Sequence, residues 1–103
     1  MIEATYTHHC KYERAQRIAN IIQQVGIGQI VKKDFINECY ICITDTGVTI
    51  IKNADETKII TMYITTYKEL VRVYKGEKKI PDYLKKKVNR NQSKYIHDGK
   101  TIL

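Results

Sequence analysis

Residues 39 to 65, Cys39-Tyr-Ile-Cys-Ile-Thr-Asp-Thr-Gly-Val-Thr-Ile-Ile-Lys-Asn-Ala-Asp-Glu-Thr-Lys-Ile-Ile-Thr-Met-Tyr-Ile-Thr65, constrain the fold more than any other stretch of this chain. Runs of β-branched and aromatic residues are broken twice by turn chemistry, which predicts three antiparallel strands in a meander. In the first turn, Asp45-Thr46-Gly47, the glycine can take the positive φ that a three-residue hairpin with a bulge needs. The register follows from that turn: Ile43 faces Thr49, Cys42 faces Ile50, Ile41 faces Ile51 and Tyr40 faces Lys52. With Ala54 to Thr57 as the second loop, Asn53 lies opposite Lys58, Ile51 opposite Ile60 and Ile50 opposite Thr61.

Side chains alternate between the faces of a strand, so this register sorts them. One face collects Ile41, Ile43, Thr49, Ile51, Ile60, Met62 and Ile64, and should be covered by helices. The other collects Tyr40, Cys42, Thr44, Val48, Ile50, Lys52, Thr61, Tyr63 and Thr65, a hydroxyl-rich surface on which a ligand could lie. A slip of one residue in the second loop would invert the contribution of the last strand.

Around the meander, residues 10–25 have helical spacing, with Ala15, Ile18, Ala19, Ile22 and Val25 as the stripe that packs on the apolar side of the sheet. Gly26 and Gly28 stop this helix, and Arg14 and Arg17 fall together on one flank. Gln29 to Phe35 would add a fourth strand, its charges suiting an edge. Thr66 and Glu69 form a capping box ahead of Tyr67, Leu70, Val71 and Tyr74, although Leu70 to Tyr74 also alternates as a strand would. Pro81 suits a first helical position, and Ile80, Leu84 and Val88 give the last helix one narrow apolar stripe, which implies weak docking. Asp98-Gly99 is a hairpin signal. The expected fold is α+β: an N-terminal helix packed on a three- or four-stranded antiparallel meander, followed by basic C-terminal helices. All 103 residues read as one domain, with helix and sheet in 1–67 and a basic helical segment in 68–103.

The net charge of +7 resides in one part of the chain. Residues 1–67 hold seven basic and seven acidic side chains, whereas residues 68–103 hold eleven basic and four acidic, the entire excess. A basic segment on a neutral body is the electrostatic footprint of a nucleic-acid or acidic partner, and also of a solvated surface that keeps a protein soluble. Lys52, Lys85, Lys86, Lys87 and Arg90 are the candidate phosphate contacts. No apolar run approaches the roughly 20 residues that span a bilayer, and Met1 to His9 lacks the parts of a signal peptide, so the expected compartment is the cytoplasm. Three cysteines suit a reducing compartment.

Cys39-x-x-Cys42 has zinc-knuckle spacing, but Tyr40 and Ile41 are strand formers, and strand positions three apart point to opposite faces. No metal and no cofactor is therefore expected. The chain has no Walker glycine loop and a single serine, Ser93. What remains is a metal-free constellation: His8 or His9, Arg14, Arg17, Lys52, Thr61, Tyr63 and Thr65. RNA cleavage without metal needs a base for the 2′-hydroxyl, an acid for the leaving oxygen, and donors or cations for the phosphorane charge, all roles these side chains can fill. A histidine at a helix start is held neutral by the helix dipole and is a plausible base.

His9-x4-Arg14-x2-Arg17 on a first helix, then a Gly-Val-Thr-Ile-Ile strand, a short polar loop and Ile59-Ile-Thr-Met-Tyr63, resembles small proteins of the RelE/barnase/EndoU-like superfamily of metal-independent ribonucleases, which act as toxins or are carried by prophages. The resemblance covers residues 8–67. It implies RNA on the open face of the sheet, with His9 and Arg14 or Arg17 contributed by the helix and Thr61 and Tyr63 by the strand. It also implies a cognate antitoxin as partner. In the register above, Thr61, Tyr63 and Lys52 face away from the first helix, so the histidines would have to reach around a sheet edge. The alternative is a non-catalytic scaffold that binds and inhibits a host defence protein or nucleoprotein enzyme. The exposed strand edges permit a dimer without demanding one.

Overall fold

The computed structural model describes residues 16–95, in the order α1 (16–25), β1 (Ile30–Ile36), β2 (Cys39–Thr44), β3 (Val48–Lys52), β4 (Ile59–Ile64), α2 (Tyr67–Tyr74), a 3-10 turn (Glu77–Lys79) and α3 (Asp82–Tyr95). The strands form one antiparallel sheet in the order β1-β2-β3-β4, so the meander has four strands, with β1 and β4 as its edges. Asp45-Thr46-Gly47 fixes the central hairpin as its chemistry requires: Gly47 has φ +87°, and Tyr40, Ile41, Cys42 and Ile43 pair with Lys52, Ile51, Ile50 and Thr49. β1 joins β2 through a two-residue turn in which Asn37 and Glu38 both have positive φ, the conformation of a type I′ hairpin.

The expected register of β4 holds only for its first residue. Lys52 pairs with Ile59, but Ile51 pairs with Thr61, because a bulge there leaves Ile60 unpaired. An extra residue in one strand flips every later side chain to the other face. Met62 and Ile64 therefore join Tyr40, Cys42, Val48 and Ile50, whereas Thr61 and Tyr63 join Ile41, Ile43, Thr49 and Ile51.

Helices cover both faces. The α1 helix packs Ile18, Ile21 and Ile22 on Cys42, Val48, Ile50 and Ile64, which is the face expected to stay open. Its buried stripe includes Ile21, whereas Ala19 is exposed, because the larger side chain brings more apolar area out of water. On the opposite face, α2 and α3 bring Leu70, Val73, Leu84 and Val88, with Ile80, onto Ile41 and Ile43. The open hydroxyl-rich face is thus corrected to a three-layer arrangement. The sheet is buried most deeply at the end of the Asp45–Gly47 turn, and exposure rises toward Ile59 and Ile60, at 56% and 57%.

Residues 67–74 are helical. Thr66 caps α2 by accepting from the Glu69 amide at 3.2 Å, and a Schellman motif ends it, with Lys75 left-handed at φ 61° and the Gly76 amide donating to the Val71 carbonyl. Pro81 lies just before α3 rather than inside it; its carbonyl accepts from the Leu84 and Lys85 amides. The α3 helix is firmly docked, contrary to the reading of its narrow stripe. Leu84 and Val88 are fully buried, the Asn91 amide donates to the Thr46 carbonyl at 2.9 Å, and Gln92 accepts from the Tyr67 amide. At its end, the Tyr95 hydroxyl reaches Gln24 of α1 at 3.4 Å. The Asp98-Gly99 signal lies outside the described residues. No helix among the described residues is long and apolar enough to cross a membrane.

Candidate nucleic-acid interface

The charge asymmetry of the sequence becomes an asymmetry between layers. Leu70 and Val73 point α2 inward, which turns Lys68, Arg72 and Lys75, spaced by four and three residues, to solvent. Leu84, Val88 and Asn91 do the same for α3, leaving Lys86, Arg90 and Lys94 exposed in a row with a four-residue repeat. At 1.5 Å per residue, successive cations of that row are about 6 Å apart along the axis. The outer surface of α1 presents Gln16, Arg17, Ala19, Asn20, Gln23 and Gln24, which is nearly neutral.

Among the described residues, Arg72 lies 4.0 Å from Glu69 and Lys75 lies 3.8 Å from Asp34, while none of the α3 cations stands within ion-pair distance of a carboxylate. Lys85 and Lys87 are half-buried on the flanks of the helix and so contribute their charge at its margins. Of the candidate phosphate contacts, Lys85, Lys86, Lys87 and Arg90 therefore share this layer. Lys52 does not: it sits on the α1 face of the sheet, 3.7 Å from Glu56, which Lys33 also contacts at 3.0 Å. The hydrogen bonds that Lys33 donates to the Glu56 carboxylate hold its ammonium above its ordinary range.

At the β4 margin of the cationic layer is a cavity of about 200 Å³ lined by Thr66, Lys68, Glu69 and Arg72. Glu69, read from the sequence only as half of a capping box, does not reach back to the cap. Its carboxylate accepts from the Tyr63 hydroxyl at 2.6 Å and from the Thr49 hydroxyl at 2.9 Å, and Thr49 is also 2.8 Å from the Thr65 hydroxyl. The β4 bulge makes this network possible, since it turns Tyr63 onto the face that α2 covers. Burial, then the Glu69 hydrogen bond, pushes the Tyr63 phenol well above its ordinary range, so it stays protonated and acts as a donor. With its side chain only 11% exposed, Glu69 is a carboxylate held at the wall of a cationic cavity.

The catalytic candidates divide. Arg17 is exposed on α1, while Thr61 and Tyr63 lie on the opposite face of the sheet, half-buried toward α2. Lys52 is parted from both strand residues by the same inversion. His8, His9 and Arg14 lie outside the described residues. Cys39 and Cys42 stand on opposite faces, as strand alternation demands, and Cys42 is fully buried in the α1 core, where burial raises its thiol. No group of three or more His, Cys, Asp or Glu among the described residues could hold a metal ion.

Sequence reasoning missed Glu69, Thr49, Lys68 and Arg72 as a group, because nothing local ties strand β3 to the first turn of α2. It missed Tyr83 as well, the exposed aromatic of α3. The chain matches no protein-family model, and neither the characterised proteins nor the solved structures include a match to it.

Proposed function

We propose that this chain is an RNA-binding protein of the metal-independent endoribonuclease type, holding the phosphate backbone on the outer face of α2 and α3. The observation that carries this reading is the juxtaposition of the exposed Lys68–Arg72–Lys75 and Lys86–Arg90–Lys94 rows with the cavity of Glu69. Phosphate neutralisation by lysine and arginine supplies sequence-independent affinity. The cavity adds what a transesterification requires. A Glu69 oxygen takes the 2′-hydroxyl proton, and the 2′-oxygen bonds to phosphorus. Lys68 and Arg72 hold the phosphorane charge. The bond to the 5′-oxygen then breaks, and that oxygen takes a proton from solvent water; the resemblance nominates His9 as a further catalytic position. An ionised carboxylate has about four acceptor positions, so two donors leave Glu69 room for a third.

A toxin or prophage setting, with an antitoxin that neutralises the chain, follows from the same resemblance. A second reading, a non-catalytic protein that binds a host enzyme, draws support from the separation of Arg17 from Thr61 and Tyr63 across the sheet.

The test is incubation of the purified chain with RNA in EDTA, for the wild type, Glu69→Gln and His9→Ala. The proposal expects 2′,3′-cyclic phosphate ends from the wild type and their loss in Glu69→Gln without loss of RNA binding. Intact RNA in all three reactions, with binding preserved, leaves an RNA-binding protein without activity and removes the enzyme. Absence of binding at low salt removes the whole reading.

A further inference from the structure

Three tyrosines of the described residues are anchored through their hydroxyls: Tyr63 to Glu69, Tyr67 to Glu77 at 2.6 Å, and Tyr95 to Gln24. Tyr83 differs. It lies in the first turn of α3 with 52% of its surface exposed, and it belongs to neither apolar core. At the end of α2, burial raises the Tyr74 phenol, and the Tyr83 phenol raises it further. The Lys32 ammonium of edge strand β1 stands 5.4 Å from the centre of the Tyr74 ring. Lys86 and Lys87, three and four residues after Tyr83, share its side of α3. Tyr83 thus stands at the start of the exposed row that runs through Lys86 to Arg90 and Lys94.

We propose that Tyr83, exposed beside Lys86 and Lys87 on α3, is a platform on which an unpaired base of single-stranded RNA stacks while its phosphates follow the α3 cations. This deepens the RNA reading above and rests on it. Every base has a π-face, and a ring open to solvent beside cations is the element that single-strand binders combine with a positively charged track. A duplex hides those faces in its own stack, so the platform selects single strands. The α3 row supplies attraction to any polyanion, and Tyr83 supplies the preference among them.

The experiment measures the affinity of wild type, Tyr83→Ala, Tyr83→Phe and the charge variant Lys86→Gln/Arg90→Gln for a uridine oligonucleotide and for an RNA duplex, each over a range of salt. Tyr83→Ala should lose roughly five- to a hundredfold on the single strand, the range for deleting one stacked base contact, and should keep the salt slope of the wild type. Tyr83→Phe retains the ring and should bind as the wild type does, and duplex affinity should not change in either variant. The charge variant should weaken both ligands and lower the slope. Tyr83→Ala binding the single strand like the wild type, or losing equally on the duplex, overturns the platform while the RNA reading stands. Failure of the wild type to bind any RNA overturns both. Because Tyr83 is exposed, its thermal midpoint should match that of the wild type, which separates lost stacking from lost structure.

Discussion

Gly47 controls how closely α3 can approach the central hairpin, and replacing it with alanine tests that contact. Gly47 has φ +87°, a region where an L-residue costs about 1–2 kcal/mol. A Cβ built there would lie 2.7 Å from the Asn91 amide nitrogen and 3.6 Å from a Val88 methyl. Val88 can stay, but Asn91 must move, and with it goes its 2.9 Å hydrogen bond to the Thr46 carbonyl, a loss of about 1–2 kcal/mol at a buried site. Gly47→Ala should therefore destabilise the fold by about 2–4 kcal/mol, and Asn91→Ala alone by about 1–2 kcal/mol. In the double variant the clash has no partner and the hydrogen bond is already gone, so only the backbone cost remains for Gly47→Ala. The cycle should show a coupling of about 1–2 kcal/mol, measured as shifts in the urea midpoint at constant m. For a domain of this size, each kcal/mol corresponds to roughly 4–8 °C in Tm. If the two single costs add to within the usual half kcal/mol or so, α3 is not held by this contact and the account of its docking is wrong.

Three further outcomes follow from the geometry. Tyr63 has a folded pKa above its unfolded value near 10, so the stability it contributes is complete below about pH 10 and is lost as pH rises from there toward the folded value. Urea midpoints measured between about pH 9 and 11 should fall more steeply for the wild type than for Tyr63→Phe, and parallel curves would contradict the Glu69 contact. Lys75 occupies the left-handed position of a Schellman motif that glycine fills without strain, so Lys75→Gly should raise stability by about 0.5–1 kcal/mol despite loss of the exposed pairing with Asp34. A lower melting midpoint would show the Asp34 pairing to outweigh the strain. Neutralising Lys86, Arg90 and Lys94 together with glutamine should leave the melting midpoint nearly unchanged. It should flatten the salt dependence of single-stranded RNA binding by about 2 log units per log salt, at about 0.7 for each phosphate contact removed. An unchanged slope would move the interface away from α3.

Local chemistry determined much of this molecule. The Asp45-Thr46-Gly47 turn set the pairing of Tyr40 to Ile43 with Thr49 to Lys52, because a hairpin turn transmits its register outward along both strands. Thr66 started α2, and Gly76 marked its end. The whole positive excess was visible as a contrast between residues 1–67 and 68–103. The covered faces were also written in the strands, since Tyr-Ile-Cys-Ile and Val-Thr-Ile-Ile are nearly continuous apolar runs with no solvated alternate positions, as in sheets buried on both sides. Tertiary structure decided what those local signals left degenerate. Ile59, Ile60 and Thr61 are all β-branched and suit either face, so the bulge at Ile60 depends on packing rather than pattern. That single unpaired residue sends Met62 and Ile64 to α1 and brings Tyr63 to Glu69, and no local rule links a strand residue to a carboxylate six positions on in a helix. The cationic surface has the same origin: burial of Leu70, Val73, Leu84 and Val88 turns two separate sets of lysines and arginines outward on one layer.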